Sequence, residues 1–210
     1  MELNFQELDS KTRYKLLTAA VIPRPIALVT TRSSDGTDNA APYSFFNVFS
    51  DDPPLLILGL QSRNSRIPKD TTNNIRQCGE FVVHLVDRPL AEAMNECSVD
   101  FPEEVSEFDV AGITRSSCRF VQVSRIEEAP IAFECRRTIM LQINENRELA
   151  IGEILYMHAR DGLIDPNTLK LNLPKYNIVG RLYGDLYTPV TETFAYTRLS
   201  HSEWLKKRTT

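Results

Sequence analysis

The sequence predicts a mainly β fold, a closed antiparallel barrel carrying a few peripheral helices. Two observations lead there. Short runs of β-branched and aromatic residues recur along the chain, each bounded by turn residues. Segments with helical spacing are too few to alternate with those runs, as a doubly wound sheet would require. Length adds a bound. At 210 residues and 23.9 kDa the chain suits one domain. A domain of that size buries roughly 70% of its unfolded surface and needs neither metal nor disulfide to hold together.

The elements follow in order. Residues Ser10–Ala20 place Tyr14, Leu16, Leu17 and Ala20 at helical spacing, with Ser10 as the expected N-cap. Pro23 and Pro25 end that helix. Residues 26–31 form an apolar, β-branched run. Ser34, Asp35 and Gly36 turn the chain, and residues 39–43 read as the returning strand of a hairpin. After Pro53 and Pro54, residues 55–60 are another strand. Residues 68–75 look like a helix start capped by Asp70 or Thr71, Gly79 closes that helix, and Glu80–Leu85 resumes a strand. Residues 89–97 read as helix, since Pro89 suits the first position and Leu90, Ala93, Met94 and Cys97 share a face. Residues 99–117 are polar and aperiodic, a long surface excursion of the kind that often carries function. Strands are expected over 119–126, 131–143 and 149–158, separated by turn signals such as Asn144, Glu145 and Asn146. Residues 161–162 and 165–167 turn, 191–197 suggest a final strand, and 201–207 a short terminal helix. No repeat, low-complexity tract or linker divides the chain.

Composition excludes several classes. Charged residues make up 25%, the net charge is −4 and the pI is about 5.5, so no basic face marks a nucleic-acid binder. Cys78, Cys97, Cys118 and Cys135 lie far apart without a CxxC pair, and His84, His158 and His201 are equally scattered. That spacing gives no zinc motif and fits a reducing compartment. No signal-peptide pattern is visible, and the apolar run 55–60 is far too short to cross a bilayer. A cytoplasmic protein with no membrane or nucleic-acid partner and no metal is expected.

Three clusters carry candidate chemistry. The first is NAAPYSFFN, from Asn39 through Ala40, Ala41, Pro42, Tyr43, Ser44, Phe45 and Phe46 to Asn47. Small residues let a planar ligand reach the backbone, aromatics supply an apolar wall, and a hydroxyl or amide fixes orientation. The plain alternative is a strand whose phenylalanines are core. The second is the basic loop Ser62, Arg63, Asn64, Ser65, Arg66, followed by Lys69, Asp70 and Thr71 at a helix N-terminus. Free N–H groups, the helix dipole and these side chains suit a phosphate. The alternative is an ordinary capped helix behind a solvated loop. The third is GRLYG (180–184) with Tyr187, where Arg181 meets an anion and tyrosine covers a ring, or where a glycine turn closes the barrel. His158 ends an apolar strand; it is either a satisfied structural histidine or, beside a redox-active ring, a group that orients substrate. GxGxxG, GxxxxGK[ST] and GxSxG are missing, which weakens Rossmann, P-loop and serine-hydrolase readings.

The ordered series PRPIALVTT (23–31), Gly36, NAAPYSFFN (39–47), DPP (52–54), KDT (69–71), Asn74-Ile75, GEFVV (79–83), Gly152-Glu153, His158 and GRL (180–182) resembles the flavin reductase-like family. The resemblance covers about residues 14–187, leaving 188–210 as a C-terminal extension of a single domain spanning 1–210. It implies a six-stranded antiparallel Greek-key split barrel, a homodimer with FMN near the subunit interface. Ala40 to Phe46 would line the isoalloxazine, and Ser62, Arg63, Lys69, Thr71 and Asn74 would hold the phosphate. The implied activity is an NAD(P)H-dependent flavin reductase that passes hydride from NADH or NADPH to FMN and supplies a partner monooxygenase. The alternative is a flavoredoxin-like electron carrier with tightly bound FMN and a protein redox partner. Hydride transfer needs no nucleophile, so Ser44, Asn47 and His158 are ring-positioning candidates. His84 and Tyr183 replace the Asn and Gly that the family often carries at these places.

Overall fold

A computed structural model describes residues 1–63 and 67–208. Helix α1 spans Ser10–Ala20, and Asp9, not Ser10, is its N-cap: the Asp9 carboxylate accepts from the Lys11 and Thr12 N–H groups at 2.9 and 3.0 Å. A carboxylate there both fills the orphan donors and meets the positive end of the dipole. Strands β1 (Ala27–Arg32), β2 (Asp38–Tyr43), β3 (Phe46–Asp51) and β4 (Pro54–Gln61) follow, and α2 (Asp70–Cys78) leads to β5 (Glu80–Leu85). Asp70 and Thr71 are the first residues inside α2, not its cap. That position belongs to Lys69, which makes no side-chain capping bond.

Next come α3 (Ala91–Glu96), α4 (Glu107–Val110) and the short pair β6 (Arg115–Ser116) and β7 (Arg125–Ile126). Of these, α4 and β6 lie in the stretch 99–117, which is not all surface, since Ser106, Glu107, Phe108 and Ile113 are buried. Then come a long hairpin, β8 (Ile131–Asn144) and β9 (Arg147–Ala159), and α5 (Leu173–Tyr176), β10 (Val179–Arg181), β11 (Tyr187–Pro189) and α6 (His201–Arg208). Two expected strands differ. Most of 119–126 is loop, because the Arg119, Phe120 and Val121 N–H groups donate to the Glu134 carboxylate at 2.7, 2.6 and 3.2 Å and need no partner strand. Residues 191–197 are exposed and irregular and pair with no strand among the described residues.

The main sheet is antiparallel, in the order β2-β1-β5-β8-β9-β4-β3. Its two edges are successive pieces of one run. Residues 38–51 form a single strand broken at Ser44 and Phe45; the first half pairs with β1 and the second with β4. Counted as one stave, that strand closes the sheet into the expected six-stranded barrel. β5 returns beside β1 after the crossing over α2, which is the Greek-key order. At the break the Gly59 N–H donates to the Phe45 carbonyl at 2.7 Å. A Cβ on Gly59 would lie 2.9 Å from that of Phe45, so only glycine permits the closure.

Apolar side chains fill both faces of β1. Ala27 and Val29 join Leu56, Leu58, Phe81 and Val83 inside the barrel. Ile26 and Leu28 face the other way, into a second core with Val86, Leu90, Met94 and Phe108 under α3 and α4. This two-sided burial is why 26–31 reads as a continuous apolar run, without the alternation of a half-exposed strand.

Candidate cofactor site

The break between β2 and β3 opens a cavity of about 670 Å³. Its walls include Pro42, Tyr43, Ser44 and Phe45 from the break, Gly59 and Leu60 from β4, and Tyr14 from α1. The Tyr14 and Phe45 rings lie 6.2 Å apart at the rim. A smaller cavity of about 160 Å³ shares Pro42, Tyr43, Arg63 and Lys69 with the first and reaches Thr71 at the N-terminus of α2. Together they offer a slot with an apolar wall and a polar annex, within the range of about 300–1,000 Å³ usual for small-molecule sites.

Each position in the annex is set by tertiary contacts. Asn39 donates to the Thr71 hydroxyl at 3.0 Å, and Asn74 donates to the Thr31 hydroxyl at 3.0 Å, so α2 is fastened to β1 and β2 by buried amides. Arg63 donates to the Asp70 carboxylate at 2.7 Å, and Lys69 to Asp100 at 3.1 Å. Among the described residues, two polar atoms here are buried without a hydrogen bond of normal geometry, the Tyr43 hydroxyl and Arg63 Nε. Arg63 Nε lies 3.7 Å from the Asp100 carboxylate, and Thr71 lies close to the Tyr43 hydroxyl. Burial pushes Tyr43 up to about 12, against the smaller downward pull of Thr71. Glu107 is also raised by burial, although its carboxylate accepts the Ala40 N–H at 2.9 Å.

The ring wall is an edge strand. Ala40 points its N–H off the free edge of β2 to Glu107, and Pro42, two residues on, has no N–H to lose there. Ser44 receives a hydrogen bond from Arg24 Nε at 3.3 Å. That guanidinium also donates to the Thr18, Val21 and Leu182 carbonyls, tying the end of α1 to the break and to the chain after β10.

The structure thus brings Asn39, Ala41, Pro42, Tyr43, Ser44, Phe45, Ser62, Arg63, Lys69, Asp70 and Thr71 to the two cavities. Asn64, Ser65 and Arg66 lie outside the described residues. Other expected residues sit elsewhere. Ala40 packs into the core under α3 and α4 and Phe46 into the barrel interior, on opposite sides of the sheet. Asn47 is exposed and accepts the Val48 N–H with its own side chain. Asn74 is spent on Thr31 beneath α2. Arg181 stacks on the Tyr187 ring at 4.4 Å in the β10–β11 hairpin, and Tyr187 lines a separate cleft.

His158 is also remote. Its Nε2 meets the Glu134 carboxylate at 2.7 Å and its ring packs edge-on to Tyr156 at 4.9 Å. Burial works against the Glu134 carboxylate, but the bonds from Arg119, His158, Phe120 and Val121 outweigh it and hold the group below the usual range. Sequence reasoning did not find Tyr14, Arg24, Asp100, Glu107 or Arg147, which the fold delivers to the site or its frame. Signals existed for two of them. Asp100 and Glu107 lie in the excursion 99–117.

A split barrel with this broken strand and annex defines a flavoprotein-type fold, and the chain belongs to the flavin reductase-like family: the model of the flavin reductase like domain matches residues 19–175. Among relatives, an uncharacterized protein of Aquifex aeolicus is 40% identical over 187 residues, covering 89% of this chain and 94% of its own. Two solved structures are close. The 2-nitrobenzoate 2-nitroreductase NbaA of Pseudomonas fluorescens is 36% identical with a TM-score of 0.88, covering 96% of this chain and 98% of its own. Nitrilotriacetate monooxygenase component B from Bacillus cereus is 32% identical with a TM-score of 0.88, covering 93% and 98%. Among the described residues, no helix is long and apolar enough to cross a membrane.

Proposed function

We propose that the paired cavities hold FMN and that the protein is an NAD(P)H-dependent flavin reductase. One observation carries the choice of FMN: a ring-sized slot opens into an annex where Arg63, Lys69 and the first turn of α2 converge, beside a buried Tyr43 hydroxyl and Arg63 Nε that make no hydrogen bond of normal geometry among the described residues. A phosphate there would gain charge-assisted bonds from Lys69 and Arg63 and the favourable end of the α2 dipole. Asp100 would surrender its hold on Lys69, at small cost because that carboxylate is largely solvated.

Bound flavin supplies hydride acceptance from a nicotinamide, so the chain's own work is positioning and electrostatics. Ser44 is fixed by Arg24, which brings a buried positive charge to the ring wall and favours negative charge developing beside it. Tyr14 and Phe45 keep the rim apolar and exclude water. The free edge of β2 offers backbone groups to a ring edge. A homodimer, and a partner oxygenase as the consumer of reduced flavin, belong to this reading. The likeness to NbaA favours a second reading, reduction of a nitroaromatic acid, with Arg147 at the cavity wall as the cation for its carboxylate.

The test compares FMN with riboflavin, which lacks the phosphate. Lys69→Ala should weaken FMN by about tenfold or more, a charged contact being worth about 1.5–3 kcal/mol, and leave riboflavin nearly unchanged. Equal losses for both would place the phosphate elsewhere. Steady-state NADH and NADPH oxidation with added FMN, and then with 2-nitrobenzoate, separates the two readings. Bound FMN without activity toward either donor would remove the reductase.

A further inference from the structure

We propose that Cys118, Glu134 and His158 form a binding site for one zinc ion, on the side of the barrel away from the flavin cavities. The sulfur, a carboxylate oxygen and a ring nitrogen all lie within 4.8 Å of one another. They come from three separate stretches. Cys118 sits in the loop after β6, Glu134 on β8 and His158 on β9, where Ala132 opposes His158 and Tyr156 opposes Glu134. His158 and Glu134 are therefore diagonal neighbours on one face of the hairpin. Local spacing gives no metal motif, and the topology assembles one.

The donor set suits zinc. Sulfur, imidazole nitrogen and carboxylate oxygen are its ordinary ligands, and three protein ligands leave a fourth position for water. His158 lines an open depression of about 520 Å³ that admits that water. Charge closes as well: one thiolate, one carboxylate and a neutral imidazole cancel Zn²⁺, which a half-buried position needs. Support outside the ligands is already built. Glu134 is wholly buried, with three backbone N–H groups fixing its orientation, and Tyr156 braces the His158 ring.

Without metal, the His158 Nε2 proton bridges to Glu134 at 2.7 Å. On binding, the neutral ring changes tautomer, its single proton moving from Nε2 to Nδ1 by exchange with solvent, so that Nε2 takes the zinc; the Cys118 thiol proton leaves to solvent, one proton released per ion bound. The ion then clamps the 117–124 loop, which packs Val121 and Val123 on Val82 and Ala132, to the β8–β9 hairpin.

The experiment uses tag-free full-length protein loaded with Zn²⁺, freed of excess by gel filtration and analysed for metal by mass spectrometry. One zinc per chain is expected, with a thiolate-to-metal charge-transfer band when Co²⁺ is substituted. Cys118→Ser and His158→Gln should each lower zinc affinity by more than about 100-fold in a chelator competition, beyond what a supporting residue costs. Both should keep the circular dichroism of the parent, and Cys118→Ser should keep its FMN affinity. No retained zinc, or equal retention in both folded variants, would overturn the site. A cobalt complex without the sulfur band would remove Cys118 and with it the proposal.

Discussion

His84 is wholly buried, and both of its ring nitrogens are engaged. Nδ1 donates to the Leu28 carbonyl at 2.9 Å, and Nε2 accepts the Ile126 N–H at 2.9 Å, so the ring must be neutral. Burial drives its pKa down to about 3. The unfolded chain takes up a proton near pH 6.5 that the folded chain refuses, so the histidine's contribution is present above 6.5 and is lost as pH falls toward 3. Stability should drop by about 2 kcal/mol between pH 7 and pH 5 from this residue alone. Urea melts across that range should show the slope, and His84→Asn should flatten it; an equal slope in the folded variant would mean another group titrates. At this scale the sequence was readable wherever a side chain acts through its own neighbours. Pro42, Tyr43, Ser44, Phe45 and Lys69 were visible in that way. Arg24 was not, because its three carbonyl partners and Ser44 lie on segments that only folding brings together.

At the scale of elements, α2 matters more for where it is held than for its own propensity. The Thr31 hydroxyl on β1 accepts from Asn74 at 3.0 Å and from Asn39 at 3.4 Å, and Asn39 continues to Thr71. Thr31→Val keeps the shape but strands a buried amide donor, at a cost of about 1–3 kcal/mol. It should lower the urea midpoint and also weaken FMN, since the N-terminus of α2 loses its fastening to the ring strand. A destabilised variant with unchanged FMN affinity would show that α2 is placed by other contacts. The same logic explains what pattern reading missed. Val121 and Val123 look like strand residues, yet Glu134, invisible as a partner in sequence, takes the backbone donors that a strand would have used. The break at Ser44 and Phe45 was equally hidden. A single strand serving both edges of a barrel reads locally as one strand.

At the scale of the whole molecule, the C-terminal extension bears on the proposed homodimer. Val190 donates to the Ile178 carbonyl, and beyond it residues 191–199 take no regular structure. Phe194 and Tyr196 are 87% and 90% exposed and pack on each other at 5.6 Å. Covering exposed aromatic surface of this kind would gain roughly 25 cal/mol per Å² removed from water. The extension also carries Arg198, Lys206, Lys207 and Arg208 against Glu192 and Glu203, opposite in sign to the acidic whole. Both features suit a second copy of the same chain, the homodimer proposed above. Deleting residues 191–210 should therefore lower the association constant, read as a shift from dimer to monomer in sedimentation at micromolar protein. Thermal unfolding of the truncated barrel, measured at a concentration where both forms are monomeric, should hardly change, because the extension buries little on its own chain. An unaltered dimer would mean that the copies meet through the barrel, and a truncated monomer that fails to fold would mean that the extension belongs to its own core.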